Sequence, residues 1–142
     1  MRDPYIDEIT ENQGKLFETA CDNGDDMADF ALKYMKSKIR SRIDERCAIE
    51  CNLFYDDIYS LFNRETSICR AQHRLDPVIC NWVGEFYSLF ENRTRLKSRS
   101  IIDKLGFNKL YRMALTLHDM DIELAVDNVV STMGLRKEAA WE

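Results

Sequence analysis

The sequence predicts an all-α protein, an irregular bundle of six to eight short helices around one central buried helix at about residues 77–92. Apolar residues recur every three or four positions along the chain, which is the spacing of one helix face. The alternating apolar and polar runs that are typical of strands are absent. With two prolines, five glycines and no linker or repeat in 142 residues, we expect a single helical domain over residues 1–142, with a polar C-terminal tail from about residue 135.

The first two helices are delimited by acidic caps. Asp3 followed by Pro4 predicts the start of the first helix, because an acidic N-cap and a proline at the first helical position both favour helix initiation. Residues 21–24 end in glycine and are typical of a C-terminal stop. Asp25 or Asp26 is then expected to cap the second helix, and Ser37 a further short helical turn.

A third main helix is expected from about Arg46 to Phe62, followed by a polar break at residues 63–66. Its apolar residues recur at helical spacing and would form one inward face. The residues of this face are Cys47, Cys51, Phe54, Tyr55, Ile58, Leu61 and Phe62.

The helix that the sequence predicts most clearly begins at Asp76-Pro77, which is again an N-cap residue followed by a proline at the first helical position. The residues behind it are apolar on most of the helix circumference, which is typical of a buried central helix. Gly84 lies in its interior, where glycine costs about 1 kcal/mol relative to alanine. We expect close approach of a neighbouring helix to explain this glycine.

Three helices are expected after the central one. Ser98 or Ser100 would cap a short helix that ends at Gly106, and a second helix follows directly. Asp121 would cap the last helix, and Gly134 would stop it.

The overall composition bounds the class of protein. With 45% apolar and 32% charged residues and a net charge of −5, the chain is expected to be globular, with no general affinity for nucleic acid or anionic lipid. The acidic start does not resemble a signal peptide, and no apolar run is long enough to span a bilayer. The five cysteines form an odd set without a disulfide framework, so reduced thiols and a cytoplasmic location are expected.

One pattern of residues is compatible with a zinc site. Cys47 and Cys51 lie four residues apart, as do Cys69 and His73, so two facing helices could present a Cys3His set. The alternative is that these cysteines pack as small apolar side chains, because Cys47 and Cys51 share the stripe of Phe54. Paired CxxC knuckles are missing, so we expect no metal and no cofactor.

Catalytic motifs are not found. The only histidines are His73 and His118, and neither lies in a known nucleophile motif. No glycine-rich phosphate loop, HExxH or GxSxG motif occurs. The sequence therefore indicates a protein that is not an enzyme.

Charge is distributed unevenly, which indicates recognition of a partner. Residues 3–29 hold nine acidic side chains and one basic one, Lys15. A basic stretch over residues 93–112 contains the partner-binding candidates, to which we add Trp141 in the polar tail. These candidates are Arg93, Arg95, Lys97, Arg99, Lys104, Lys109, Arg112 and Trp141. A second basic stretch contains Lys33, Lys36, Lys38, Arg40 and Arg42. Opposed acidic and basic faces suit protein recognition better than binding of nucleic acid.

Ordered blocks covering about half of the chain resemble small helical proteins of Gram-positive gut bacteria that are encoded beside ADP-ribosyltransferase-like toxins. The shared residues are Asp29-Phe30, Tyr34-Met35, Ser37, Ile39-Arg40 and Asp44, then Trp82-Val83-Gly84 with residues 86–90, then Leu117-His118, Asp121 and residues 125–127. The sequence departs from the pattern between residues 45 and 70. The resemblance implies an antitoxin or a toxin-associated accessory protein.

A second resemblance rests on Asn81-Trp82-Val83-Gly84. This segment is similar to the Asn-Trp-Gly-Arg motif of viral Bcl-2 proteins, although the glycine is displaced by one and no arginine follows it.

The leading hypothesis, which rests on the first resemblance, is a non-enzymatic protein-interaction module of a bacterial toxin system. The alternatives are a Bcl-2-like decoy that binds an amphipathic helix and a helical protein that binds phosphate or RNA.

Overall fold

The computed structural model describes residues 3–135, and within this range the chain forms nine α-helices and no strand. The helices are α1 (Ile6–Asp22), α2 (Met27–Met35), α3 (Lys38–Asp44), α4 (Ala48–Cys51), α5 (Tyr55–Glu65), α6 (Pro77–Thr94), α7 (Ser98–Lys104), α8 (Phe107–Leu117) and α9 (Ile122–Thr132). The predicted all-α class is confirmed. None of these helices combines the length and the apolar character needed to cross a membrane.

Helix α6 is the centre of the bundle. The Asp76 carboxylate accepts a hydrogen bond from the Val78 backbone N at 2.9 Å, and Pro77 occupies the first turn, so the predicted start is confirmed. The helix ends at Thr94, two residues beyond the predicted end. The side chains in its middle are buried on nearly every side of the helix. A helix buried on nearly all sides must be the element against which the others pack.

Within the described residues, α1 and α6 make the most extensive contact of any two helices. A Cβ atom on Gly84 would lie 2.6 Å from the Gln13 carbonyl oxygen and 2.9 Å from Cγ of Phe17. A Cβ atom on Gly14 would lie 2.6 Å from Oδ1 of Asn81. The Gln13 side chain donates a hydrogen bond from Nε2 to the Gly84 carbonyl oxygen at 2.8 Å. The expectation that Gly84 permits a close helix contact is confirmed, and Gly14 does the same from the other side.

Aromatic rings connect this helix pair to the rest of the core. The Phe17 ring meets Phe30 edge-on, with centroids 5.4 Å apart and an interplanar angle of 86°. It also contacts Tyr34, Tyr87 and Phe107 at centroid distances of 6.1–6.4 Å. Edge-to-face and tilted pairs of this kind add to the free energy of burial. Phe17 therefore joins α1, α2, α6 and α8 in one core.

The prediction of a continuous helix from Arg46 to Phe62 is wrong. The chain instead forms the short helix α4 and the separate helix α5, with a break at residues 52–54. At this break the Asn52 side chain donates to the Ala48 carbonyl oxygen at 2.7 Å, and the Asn12 side chain of α1 donates to the Leu53 carbonyl oxygen at 2.9 Å. These side chains take carbonyl groups that a continuous helix would use internally, so the helix cannot continue.

The break also corrects the predicted inward face. Phe54 is 72% exposed and Leu61 is 38% exposed, whereas Ile58 and Phe62 of the same predicted stripe are buried. Because the backbone at Phe54 is extended, its side chain leaves the helical stripe that the spacing indicates.

Three other predicted caps agree with the structure, whereas the predicted cap at Ser98 or Ser100 is wrong, because Lys97 is the N-cap residue of α7 and Ser98 is its first residue. Asp26, Ser37 and Asp121 each cap the expected helix through the side chain. Gly134 has a φ of +69° just after α9, as expected of a C-terminal stop. The first helix begins later than predicted, because the Asp3 carboxylate accepts from the Tyr5 backbone N and forms a separate turn.

Residues 66–76 are largely extended and lie across the turn between α1 and α2. The Asp26 backbone N donates to the Cys69 carbonyl oxygen at 2.8 Å, and the Ala71 backbone N donates to the Gly24 carbonyl oxygen at 2.9 Å. The Asp29 carboxylate accepts from the Cys69 backbone N at 2.8 Å. This segment is therefore held by backbone hydrogen bonds rather than by its own helix.

Replacing Gly84 with alanine tests the close contact of α1 and α6. The added methyl group would clash with the Gln13 backbone, so we expect Gly84→Ala to lower the free energy of unfolding by about 1–3 kcal/mol in urea denaturation. The control is Gly106→Ala at the N-cap of α8, where a Cβ atom would meet nothing within 4 Å. Alanine is a poorer N-cap than glycine but lowers the entropy of the unfolded chain, so we expect a net change within about 0.5 kcal/mol. Equal effects of the two substitutions would contradict the steric explanation.

Candidate interaction surface

The four residues of the hypothetical zinc site lie in different environments. Cys47 is the N-cap residue of α4, and Cys51 is buried at the end of that helix. Cys69 and His73 are exposed on the extended segment, so the expected helical spacing of this pair is wrong. Within residues 3–135, no group of three or more His, Cys, Asp or Glu side chains is arranged to hold a metal ion. Burial raises the pKa of the Cys51 thiol, which disfavours the thiolate that a metal would need.

Arg93 does not belong to an exposed basic surface. It is buried on α6, and its Nε donates to Oδ1 of Asp127 on α9 at 2.8 Å. Its prediction as a partner-binding residue is therefore wrong, because the ion pair joins two helices inside the protein. Trp141 lies outside the described residues.

The other candidates of the basic stretch are exposed cations that form no ion pair within residues 3–135. They are Arg95, Lys97, Arg99, Lys104, Lys109 and Arg112. The first three precede or begin α7, Lys104 ends it, and the last two lie on α8. The stretch is thus spread over three places rather than forming one surface.

The structure brings part of this stretch next to the second basic stretch. Lys36, just after α2, pairs with Asp103 of α7 at 2.9 Å. Lys36 and Arg99 line the same depression of about 320 Å³, and Lys36 also lines a larger depression of about 680 Å³ together with Lys38. We use the name basic face for the surface lined by Lys36, Lys38 and Arg99, together with Arg95 and Lys97, the exposed cations that directly precede α7 in the chain. Its assembly from two distant stretches was not predicted, and no local sequence signal encodes it.

The basic face rests on a hydrogen-bonded contact between α3 and α7. The Asp44 carboxylate accepts from the Ser98 backbone N at 2.8 Å and from the Ser98 hydroxyl at 2.6 Å. Lys97, at the N-cap position of α7, makes no side-chain cap hydrogen bond. Asp44 therefore caps α7 from another helix, and its negative charge suits the positive end of the helix dipole.

A buried arginine completes this contact. Arg40 of α3 is fully buried, and its Nε donates to the Ser98 hydroxyl oxygen at 3.1 Å. Its Nη2 lies 3.6 Å from Oε1 of Glu91 on α6. Burial raises the pKa of the Glu91 carboxyl above its usual value, although the nearby Arg40 and Arg46 guanidinium groups act in the opposite direction. These charges tie α3, α6 and α7 together.

Arg46 extends the buried network toward the N-terminus. It has a φ of +58°, a left-handed conformation that is unusual for arginine. Its guanidinium group hydrogen-bonds to the Asp3 carboxylate, to Oε1 of Glu91 at 2.9 Å and to the Ile43 carbonyl oxygen at 2.8 Å. Burial acts to raise the pKa of Asp3, but the hydrogen bonds from Arg46 and the Tyr5 backbone outweigh it and leave that pKa below its usual value. These contacts account for the left-handed backbone at Arg46.

Arg95 has a similar backbone but no such contacts. It follows α6 with a φ of +59°, the position where glycine is usual, and it is exposed. No ion pair within the described residues offsets the left-handed conformation. The chain therefore presents an exposed cation where the backbone alone would favour glycine.

Residues 81–84, which carry the Bcl-2-like resemblance, lie mainly inside the protein. Trp82, Val83 and Gly84 are buried, and the Asn81 side chain donates to the Glu18 carboxylate of α1 at 2.8 Å. The segment thus packs against α1.

Comparisons with known proteins add no assignment. No protein-family model, no curated protein and no solved structure matches the chain. The geometry of the surface is therefore the main basis for a functional proposal.

The buried contact of Arg40, Asp44 and Ser98 supports the basic face, and we call it the frame. Removing the Asp44 carboxylate tests this frame. Asp44→Ala leaves the buried Ser98 groups without their acceptor and Arg40 without one of its carboxylate partners, so we expect the free energy of unfolding to fall by about 2–4 kcal/mol. Hydrogen exchange should show the largest loss of protection in α7. The neighbouring exposed residue provides the control, since Glu45→Ala should change the stability by less than about 0.5 kcal/mol. Comparable losses in both variants would argue against the cap.

Proposed function

We propose that this protein is a non-enzymatic interaction module whose basic face binds an acidic surface of a partner protein. The supporting observation is the set of exposed cations at Lys38, Arg95, Lys97 and Arg99, which form no ion pair within residues 3–135. The buried network of Arg40 and its partners holds these cations on a fixed frame. Complementary charge of this kind raises association rates and selects against partners of the wrong charge.

The finer proposal is that the module is the antitoxin or an accessory protein of a bacterial toxin system and acts in the cytoplasm. It rests on the resemblance, whose matched blocks include two residues of the frame, Arg40 and Asp44. Lys97 and Arg99 lie outside those blocks. This suits a group of proteins that share the buried frame but differ in the exposed residues that would select each partner. All five cysteines are free thiols, which suits a reducing compartment.

Three substitutions remove charge from the basic face without disturbing its frame. Arg95→Gly introduces the residue that the left-handed backbone favours, Lys97→Ser introduces a favoured N-cap residue, and Arg99 is replaced by glutamine at an exposed position. We expect tagged wild-type protein to retain a stoichiometric protein partner from lysate of the source organism. The triple variant should retain at least about tenfold less of it while its free energy of unfolding is unchanged or higher.

A matched control removes the same charge elsewhere. The variant Arg64→Gln with Lys109→Gln and Arg112→Gln changes three exposed cations of α5 and α8 and should retain the partner normally. Equal losses in both variants, or no stoichiometric partner for the wild type, would overturn the proposed interaction. Retention that nuclease treatment abolishes would assign the surface to nucleic acid instead.

The toxin role has its own test. The captured partner, expressed alone, should arrest growth, and co-expression of this chain should restore it. The triple variant of the basic face should restore growth less well than the matched control variant. A partner that is harmless when expressed alone would refute the toxin role but leave the interaction intact.

A further inference from the structure

A second surface lies at the corner between α4 and α5, and its chemistry is opposite to that of the basic face. Ile49 and Phe54 are 76% and 72% exposed, the highest values among the large apolar side chains of the described residues. They lie on either side of the turn that connects the two helices. Exposed apolar side chains this close in the chain make the corner a candidate binding site.

Phe54 occupies a position where local structure favours another residue type. It is the N-cap residue of α5 and makes no side-chain cap hydrogen bond. Serine, threonine, aspartate or asparagine at an N-cap is typically worth about 1 kcal/mol, and phenylalanine forgoes this contribution. The hydrogen bond from Asn12 to the Leu53 carbonyl oxygen, 2.9 Å long, fixes the turn beside it. The ring is thus held outward on an anchored backbone, with no contribution to folding that explains it.

A groove of about 370 Å³ runs beside this ring, between α1 and the turn. Its walls include Glu8, Glu11, Phe54 and Tyr55, and Lys15, the one cation among its described lining residues, pairs with Glu11 at 3.3 Å. The exposed carboxylates of Asp56 and Asp57 follow Tyr55 in the first turn of α5. The groove therefore combines an aromatic wall with a negatively charged surround.

We propose that this corner docks a cationic amphipathic segment of a protein. An apolar side chain of the segment packs against Phe54, while its lysines or arginines face Glu8, Glu11 and the acidic first turn of α5. The charge of the groove disfavours an acidic peptide or a nucleic acid. Aromatic side chains, phenylalanine included, are enriched in protein interfaces, and complementary charges around them select the partner. This surface is independent of the basic face, so one module can hold two partners of opposite charge.

The probe for this site is a 14-residue amphipathic helix built of leucine and lysine, with a leucine and glutamate peptide of the same pattern as its counterpart. Titration into ¹⁵N-labelled protein should shift amides of residues 8–15 and 49–57 with the lysine peptide only. Higher salt should weaken this binding. Shifts confined to other surfaces, or equal shifts of residues 8–15 and 49–57 with both peptides, would overturn the proposal.

Phe54→Ser is the decisive variant, because serine is a favoured N-cap residue and the fold should be retained or stabilised. Its affinity for the lysine peptide should fall at least about tenfold. Leu124→Ser, which changes a side chain on α9 that is 52% exposed, should leave the affinity unchanged. Unchanged binding by Phe54→Ser would refute the site.

A further variant separates this site from the basic face. Glu8→Gln with Glu11→Gln should weaken binding of the lysine peptide severalfold and reduce its salt dependence. The triple variant of the basic face should bind the lysine peptide as well as the wild type does. Loss of binding in that triple variant would contradict the independence of the two surfaces.

Discussion

The contact between α1 and α6 sets the geometry on which the other helices depend. Gly14 and Gly84 each face backbone or side-chain atoms of the partner helix that would overlap with a Cβ atom. This closeness lets the Gln13 side chain reach the Gly84 carbonyl oxygen and brings Phe17 among the rings of three other helices. Close packing makes such a core intolerant of added volume. Glycine, which weakens an isolated helix, is therefore required by the tertiary structure at this crossing.

A second constraint is electrostatic and acts where apolar packing ends. Arg40 is fully buried and Glu91 nearly so, and Arg40 meets the Glu91 carboxylate and the Ser98 hydroxyl only when α3, α6 and α7 are in place. Loss of one member of such a network leaves a desolvated charge, so the network penalises alternative packings of these short helices. The same network orients the exposed lysines and arginines of the basic face. The proposed binding surface and the folded state thus rest on one set of interactions.

The sequence predicted those features that depend on neighbouring residues. The caps at Asp76 and Asp121 were correct because N-cap preferences are local, and Gly84 was correctly assigned to a close contact. The break at residues 52–54 was missed because the apolar spacing continues through it, while one hydrogen bond that fixes it comes from Asn12 on another helix. The burial of Arg93 and the joining of Lys36 to Arg99 depend on tertiary packing. A local sequence pattern contains no information about contacts between residues that are far apart in the chain.

Helix α7 has seven residues and takes its N-terminal cap from Asp44, which lies 54 positions earlier in the chain. A helix this short does not persist alone in water. The arrangement of Lys97 and Arg99 relative to Lys36 therefore exists only in the native ensemble, and a ligand of that surface has no equivalent target on the unfolded chain. Such a ligand stabilises the native state by mass action, in proportion to the logarithm of its concentration. A partner bound as proposed would therefore lower the fraction of chains open to proteolysis as it accumulates, and would link the abundance of the protein to its own.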